Sequence, residues 1–133
     1  PVSQLHRLTE RGGQPWYFLD EGLYGTFSGV LFDQWDFKLI SFREGEEKVA
    51  ATFAGPSCDS LDIMFRGRLT VPLQVGDLLL VPSCGAYTSA SATTFNGFSK
   101  AKFVIWERVK AEVEPVAAVG RVEMNQSVAQ AVK

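Results

Sequence analysis

The chain alternates short apolar runs, rich in aromatic and β-branched residues, with glycine, proline and charged breaks. Pro15-Trp16-Tyr17-Phe18-Leu19 is one such run, and Asp20-Glu21-Gly22 closes it. Leu23 to Leu31 continues the strand-like alternation, with Gly25, Ser28 and Gly29 between bulky residues. Phe37 to Phe42 reads as a half-buried strand, Arg43 to Glu47 as a solvated charged loop, and Lys48 to Phe53 as the next strand, which runs into Gly55-Pro56. Leu78 to Val81 follows a Gly76-Asp77 turn, and Lys102 to Trp106 reads as a late strand. Short runs at this spacing predict an all-β fold, a Greek-key-like β-barrel or sandwich. Residues 87–94 break the pattern. They are full of Ala, Ser and Thr without alternation, and predict a short helical turn.

Beyond Trp106 the composition shifts. Glu107 to Lys133 is rich in Val, Ala, Glu and Gln, has few aromatics, and is interrupted by Pro115 and Gly120. The expected organisation is therefore one β-domain over residues 1–107 and a tail or accessory arm over 108–133. A total of 133 residues allows a single core.

Charge removes several function classes. The net charge is -2 and no basic run is present, so the phosphate grip of a nucleic-acid binder is missing. No apolar stretch approaches the ~20 residues of a spanning helix, so no membrane partner is expected. Pro1 to Gln4 shows no basic region leading into an apolar core, so no signal peptide is read there. The two cysteines, Cys58 and Cys84, lack CxxC spacing and read first as small buried residues of a reducing cytoplasm. His6 is the only histidine, and it reads as a surface residue. No zinc site and no Ser-His-Asp set can be assembled around it.

The candidate chemistry lies in Gly55-Pro56-Ser57-Cys58-Asp59-Ser60-Leu61-Asp62. A Gly-Pro pair ends a strand and presents the following side chains at a sheet rim. Thiols titrate near ~8.5, within reach of neutrality, so one at a rim can act as a general acid or base. The adjacent carboxylate of Asp59 can pair with a cationic substrate group. Asp33, in Leu31-Phe32-Asp33-Gln34, is a second carboxylate, with a turn residue as the competing reading. Tyr87, in Gly85-Ala86-Tyr87-Thr88, has a hydroxyl that can donate to an anion while its ring packs on an apolar wall. For Tyr24 and Phe95, core packing is the competing reading.

These segments, with Gly22-Leu23-Tyr24-Gly25 and Phe95-Asn96-Gly97-Phe98, resemble in order the C-terminal β-domain of the alanine-racemase-like, fold type III pyridoxal-phosphate decarboxylases of the ornithine/lysine group. The family motif Gly-Pro-Thr-Cys-Asp-Ser/Gly-Leu-Asp differs from Gly55 to Asp62 only softly, at Ser57. The resemblance implies that Cys58 protonates the carbon left after carbon dioxide departs, and that Asp59 holds the distal ammonium of the substrate. It implies that Asp33 assists Asp59, Tyr87 binds the cofactor phosphate, Phe95 lines the substrate pocket, and Tyr24 and Phe95 lie at the subunit interface. Phe32 and Gln34 depart from the family's Leu-Tyr-Asp-His. Asp rather than Glu after the cysteine points to ornithine or lysine rather than diaminopimelate.

The same resemblance implies partners. The Schiff-base lysine and the phosphate loop belong to a TIM-type barrel preceding this domain, and no lysine of this chain matches the cofactor lysine. The chain is therefore expected to be a fragment or one part of a split enzyme, inactive alone. Its active site would be completed by that N-terminal barrel and shared between the subunits of a homodimer. A second hypothesis is a non-catalytic, decarboxylase-like module that pairs with the enzyme or a regulator. The joint presence of Cys58, Asp59, Asp33 and Tyr87 favours the enzyme, since a silent relative has no chemical need for all four.

Overall fold

A computed structural model describes residues 1–32, 35–105 and 107–108. The chain divides after Ala101 into two units, Pro1–Ala101 and Lys102–Lys133. The first carries all the regular strands among the described residues: β1 (Val2–Arg11), β2 (Gln14–Leu19), β3 (Ile40–Ser41), β4 (Val49–Ala54), β5 (Ile63–Thr70) and β6 (Leu78–Leu80). They form one sheet in the order β3-β6-β1-β2-β4-β5, curled into a half-barrel, and the predicted all-β class holds. Two helices are short, α1 (Gly29–Phe32) and α2 (Ala86–Ser91), and a 3-10 turn covers Phe95–Gly97. The predicted helical turn corresponds to α2.

β1 joins the two halves of the sheet. Its first residues pair with β6, Val2 opposite Leu80, and the rest pairs with β2, Arg7 opposite Phe18. The register shifts between Leu5 and Arg7 at the changeover. A bulge there bends the strand and lets one strand serve both halves. β2 runs antiparallel to β1 and parallel to β4, with Tyr17 opposite Phe53.

The alternation in β2 does what a period of two requires: Tyr17 and Leu19 are buried, while Trp16 and Phe18 face outward under Arg7 and Arg11. The inward residues join Leu5, Phe27, Phe53, Phe65, Leu79 and Val81 in the core. Phe27 is gripped edge-on by Phe37 at 5.6 Å and Phe65 at 6.1 Å between ring centres. The buried Tyr17 hydroxyl is satisfied by the Leu73 N–H at 3.1 Å.

Several expectations are corrected. Leu23 to Leu31 is not a strand but a series of turns leading into α1. The buried Asp62 carboxylate against Gly22 and the half-buried Glu21 carboxylate against Gly25 hold that path. Of Phe37 to Phe42, only Ile40–Ser41 is paired, against the far side of β6. Residues 102–105 of the predicted late strand carry no regular structure, and Trp106 lies outside the described residues, as does most of the predicted tail. β1 and β5 were not legible. Charged residues and a bulge interrupt the apolar alternation of β1, and Gly67 at φ +63° interrupts β5. No helix among the described residues is long and apolar enough to cross a membrane.

Candidate functional site

The loop from Gly55 to Asp62 joins antiparallel strands β4 and β5 and is closed by the Gly55 N–H on the Asp62 carbonyl at 2.8 Å. Its shape is set by one buried side chain. Asp62 is 2 % exposed. Its Oδ1 accepts the Leu23 N–H at 2.8 Å and its Oδ2 the Ser57 N–H at 3.0 Å. The carboxylate occupies the space beside two glycines. A Cβ on Gly22 or on Gly55 would stand 2.3 Å from Oδ1. Asp62 thus clamps this loop to the turn that carries Tyr24, and both glycines are needed to admit it.

Beside that clamp, Cys58 is exposed, which corrects the reading of a buried thiol. Asp59 is half-buried. The Tyr24 hydroxyl donates to Asp59 Oδ2, and the Leu61 N–H donates to Oδ1 at 2.9 Å. The Leu61 N–H first, then the Tyr24 hydroxyl, hold the Asp59 carboxyl below its ordinary range against the opposing effect of burial. The same hydrogen bond pushes the Tyr24 phenol above its ordinary value.

The Tyr24 ring stacks on Phe95, with centroids 4.2 Å apart and planes 29° from parallel. Next to Phe95, Asn96 donates from Nδ2 to the Cys58 sulfur at 3.0 Å. The Phe95 turn is fastened in turn to Tyr24, whose carbonyl accepts the Thr93 N–H at 2.7 Å. Tyr24, Cys58, Asp59 and Phe95, far apart in sequence, therefore form one contact network.

Tyr87 stands apart from it. It lies on α2, 83 % exposed, at the rim of a cavity of about 460 Å³. Phe32, Trp35 and Phe37 form the aromatic wall of that cavity, and Thr88 and Ser91 add hydroxyls. Neither Cys58 nor Asp59 lines it. Asp33 lies outside the described residues, between Phe32 and Trp35 in sequence. His6 is exposed.

Sequence reasoning passed over Asp62, Asn96 and Glu21. Asp62 and Asn96 stood inside quoted motifs without a role, and only their contacts reveal one. Glu21 accepts the Thr26 N–H at 2.9 Å, and burial is the main cause that pushes its carboxyl above the ordinary range.

Comparison with known proteins gives this geometry a family. Residues 2–85 match the family model described as "Pyridoxal-dependent decarboxylase, C-terminal sheet domain". Over 106 residues the chain is 50% identical to a lysine/ornithine decarboxylase of Selenomonas ruminantium, covering 80% of this chain and 27% of that protein. It is 43% identical over 86 residues to the ornithine decarboxylase of Caenorhabditis elegans, covering 63% of this chain and 20% of that one. The crystal structure of the lysine/ornithine decarboxylase of Vibrio vulnificus complexed with cadaverine superposes with a TM-score of 0.71 at 42% identity, covering 74% of this chain and 27% of that one. The chain belongs to the pyridoxal-dependent decarboxylases, as their C-terminal sheet domain. It spans about a quarter of the length of the relatives it matches.

Proposed function

We propose that this domain supplies the proton donor and the anionic clamp of a decarboxylase acting on ornithine or lysine, forming putrescine or cadaverine. The active site would be shared between two subunits of a cytoplasmic homodimer and completed by a preceding cofactor-binding barrel. One observation carries the reading. An exposed thiol and an ionised carboxylate stand adjacent on one loop, and each is held by a partner from another segment. The relatives named above point to the same substrates, and the Vibrio enzyme is complexed with cadaverine, one of the two diamines proposed as products.

Pyridoxal phosphate, when bound, draws off the electron pair left on carbon as carbon dioxide departs. The residues of this chain fit one end of it. Tyr87 offers an exposed hydroxyl that can donate to a phosphate, while the Thr88 and Ser91 hydroxyls already donate to the Gly85 and Tyr87 carbonyls, each at 2.7 Å. Among the described residues no lysine lines that cavity, and the amine that would hold the cofactor aldehyde is assigned to the barrel.

Asp59, kept ionised by the Leu61 N–H and the Tyr24 hydroxyl, takes the distal ammonium of the substrate, and Asp33 is assigned the assisting role that the family resemblance implies. The Cys58 thiol gives its proton to the substrate carbon, and the S–H electron pair stays on sulfur. Phe95 presents its ring to the substrate pocket, and with Tyr24 it meets the other subunit. Were the proton to miss that carbon, the product would leave as an aldehyde and its amine nitrogen would stay with the cofactor, so the position of the Cys58 thiol would decide between diamine and aldehyde.

The test joins this chain to the barrel domain of the Selenomonas relative and follows carbon dioxide, diamine and aldehyde with both substrates. Cys58→Ala is expected to keep releasing carbon dioxide while diverting product to aldehyde. Undiminished diamine from that variant would show that Cys58 only packs.

A further inference from the structure

Asn96 is the one side chain among the described residues seen to hydrogen-bond the Cys58 sulfur, at 3.0 Å. It does so from an unusual backbone. Asn96 sits at φ 56° and ψ 17° inside the Phe95–Gly97 turn, where most residues adopt negative φ. Asn tolerates this left-handed region better than most residues, and such conformations gather where geometry serves a site. The turn is closed by the Gly97 N–H on the Thr94 carbonyl at 2.9 Å, and it is pinned to the Tyr24 segment by the Phe95 stack at 4.2 Å and by the Thr93 N–H on the Tyr24 carbonyl at 2.7 Å.

We propose that Asn96 is a positioning residue for the Cys58 thiol, its amide fixing the sulfur so that the S–H proton points away from the Asn96 turn. The physical reason is the bonding capacity of sulfur. A thiol sulfur that accepts an N–H through one lone pair must direct its own hydrogen elsewhere. An exposed thiol on a loop otherwise rotates among three staggered positions. With the amide in place, rotamer and proton direction are set together. Cys58 and Asp59 are then oriented by two contacting segments, Asp59 by Tyr24 and Cys58 by the turn stacked on Tyr24.

This inference rests on the reading of Cys58 as the proton donor, and its first test does not need that reading. Asn96→Gly removes the amide and keeps the left-handed backbone at no steric penalty. Asn96→Asp keeps shape and backbone but replaces the donor with an anion. Iodoacetamide alkylation of this chain is followed at Cys58 and Cys84 separately by peptide mass spectrometry. The Cys58 rate is expected to fall about fivefold in Asn96→Gly, the scale of one lost hydrogen bond, and about tenfold in Asn96→Asp, from like-charge repulsion. The Cys84 rate stays constant and reports an intact fold. Cys58 rates equal to wild type in both variants overturn the inference.

In the chain joined to its barrel, both variants are expected to raise the aldehyde share several-fold at unchanged substrate KM. An unchanged share beside a raised share in Cys58→Ala also overturns it. If Cys58→Ala itself leaves the product unchanged, the proton-donor reading falls, while the alkylation result still decides what holds the sulfur.

Discussion

The Tyr24 hydroxyl donates to Asp59 across 35 residues of chain while its ring lies against Phe95. One side chain thereby joins the acidic loop to the Phe95 turn, and its two functions can be separated. In Tyr24→Phe the stack remains and the hydroxyl is lost. The Asp59 carboxyl is expected to titrate higher than in the wild type, yet still below its ordinary range, because the Leu61 N–H is the larger cause of its depression. Carboxyl NMR titration reads this directly. Conversely, Asp59→Asn should bring the Tyr24 phenol down toward its ordinary value, seen as tyrosinate absorbance at lower pH.

Asp62 governs the integrity of the loop. Asp62→Ala leaves the Leu23 and Ser57 N–H groups without their acceptor. A loss of roughly 2–4 kcal/mol is expected, since a buried unpaired donor costs about 1–3 kcal/mol. Urea denaturation of the chain measures it. Gly55→Ala should be similarly harmful, because its methyl would stand 2.3 Å from Asp62 Oδ1. Combining it with Asp62→Ala should recover part of the loss, as the obstruction is gone.

Glu21 makes stability depend on pH with a sign opposite to that of Asp59. Its folded carboxyl binds a proton more tightly than the unfolded one, mainly through burial. Stability should therefore rise as pH falls through the Glu21 folded value, until the unfolded carboxyl near ~4.3 is protonated too. Asp59 and Asp77, both depressed, contribute stability above the unfolded value near ~3.9, and it is lost as pH falls through their folded values. Glu21→Gln retains an acceptor for the Thr26 N–H and should flatten the upper part of the curve alone. Urea midpoints across the acid range, wild type against variant, check this. A variant curve parallel to the wild type would contradict it.

Tyr87, 83 % exposed, contributes little to folding. Tyr87→Phe should change stability by less than about 0.5 kcal/mol, as for other surface positions. In the chain joined to its barrel, the same change should weaken retention of pyridoxal phosphate, measured by cofactor loss on dialysis.

What the linear chain determined was kind and content. β-branched and aromatic runs between glycines and prolines specify a sheet protein, because burying a pleated surface needs that alternation. The order of Cys58-Asp59, Tyr87 and Phe95 was sufficient for the family, because these motifs are local. β1 and β5 escaped, since bulges and outward arginines break the period on which such reading depends. Tertiary structure decided the connections. That Asp62 is a buried clamp, that Gly22 and Gly55 make room for it, and that Asn96 reaches Cys58 are meetings of residues between 5 and 40 positions apart. Hydrogen bonds and close contacts between distant segments exist only once the sheet has curled and brought its loops to one rim, and no local pattern encodes them.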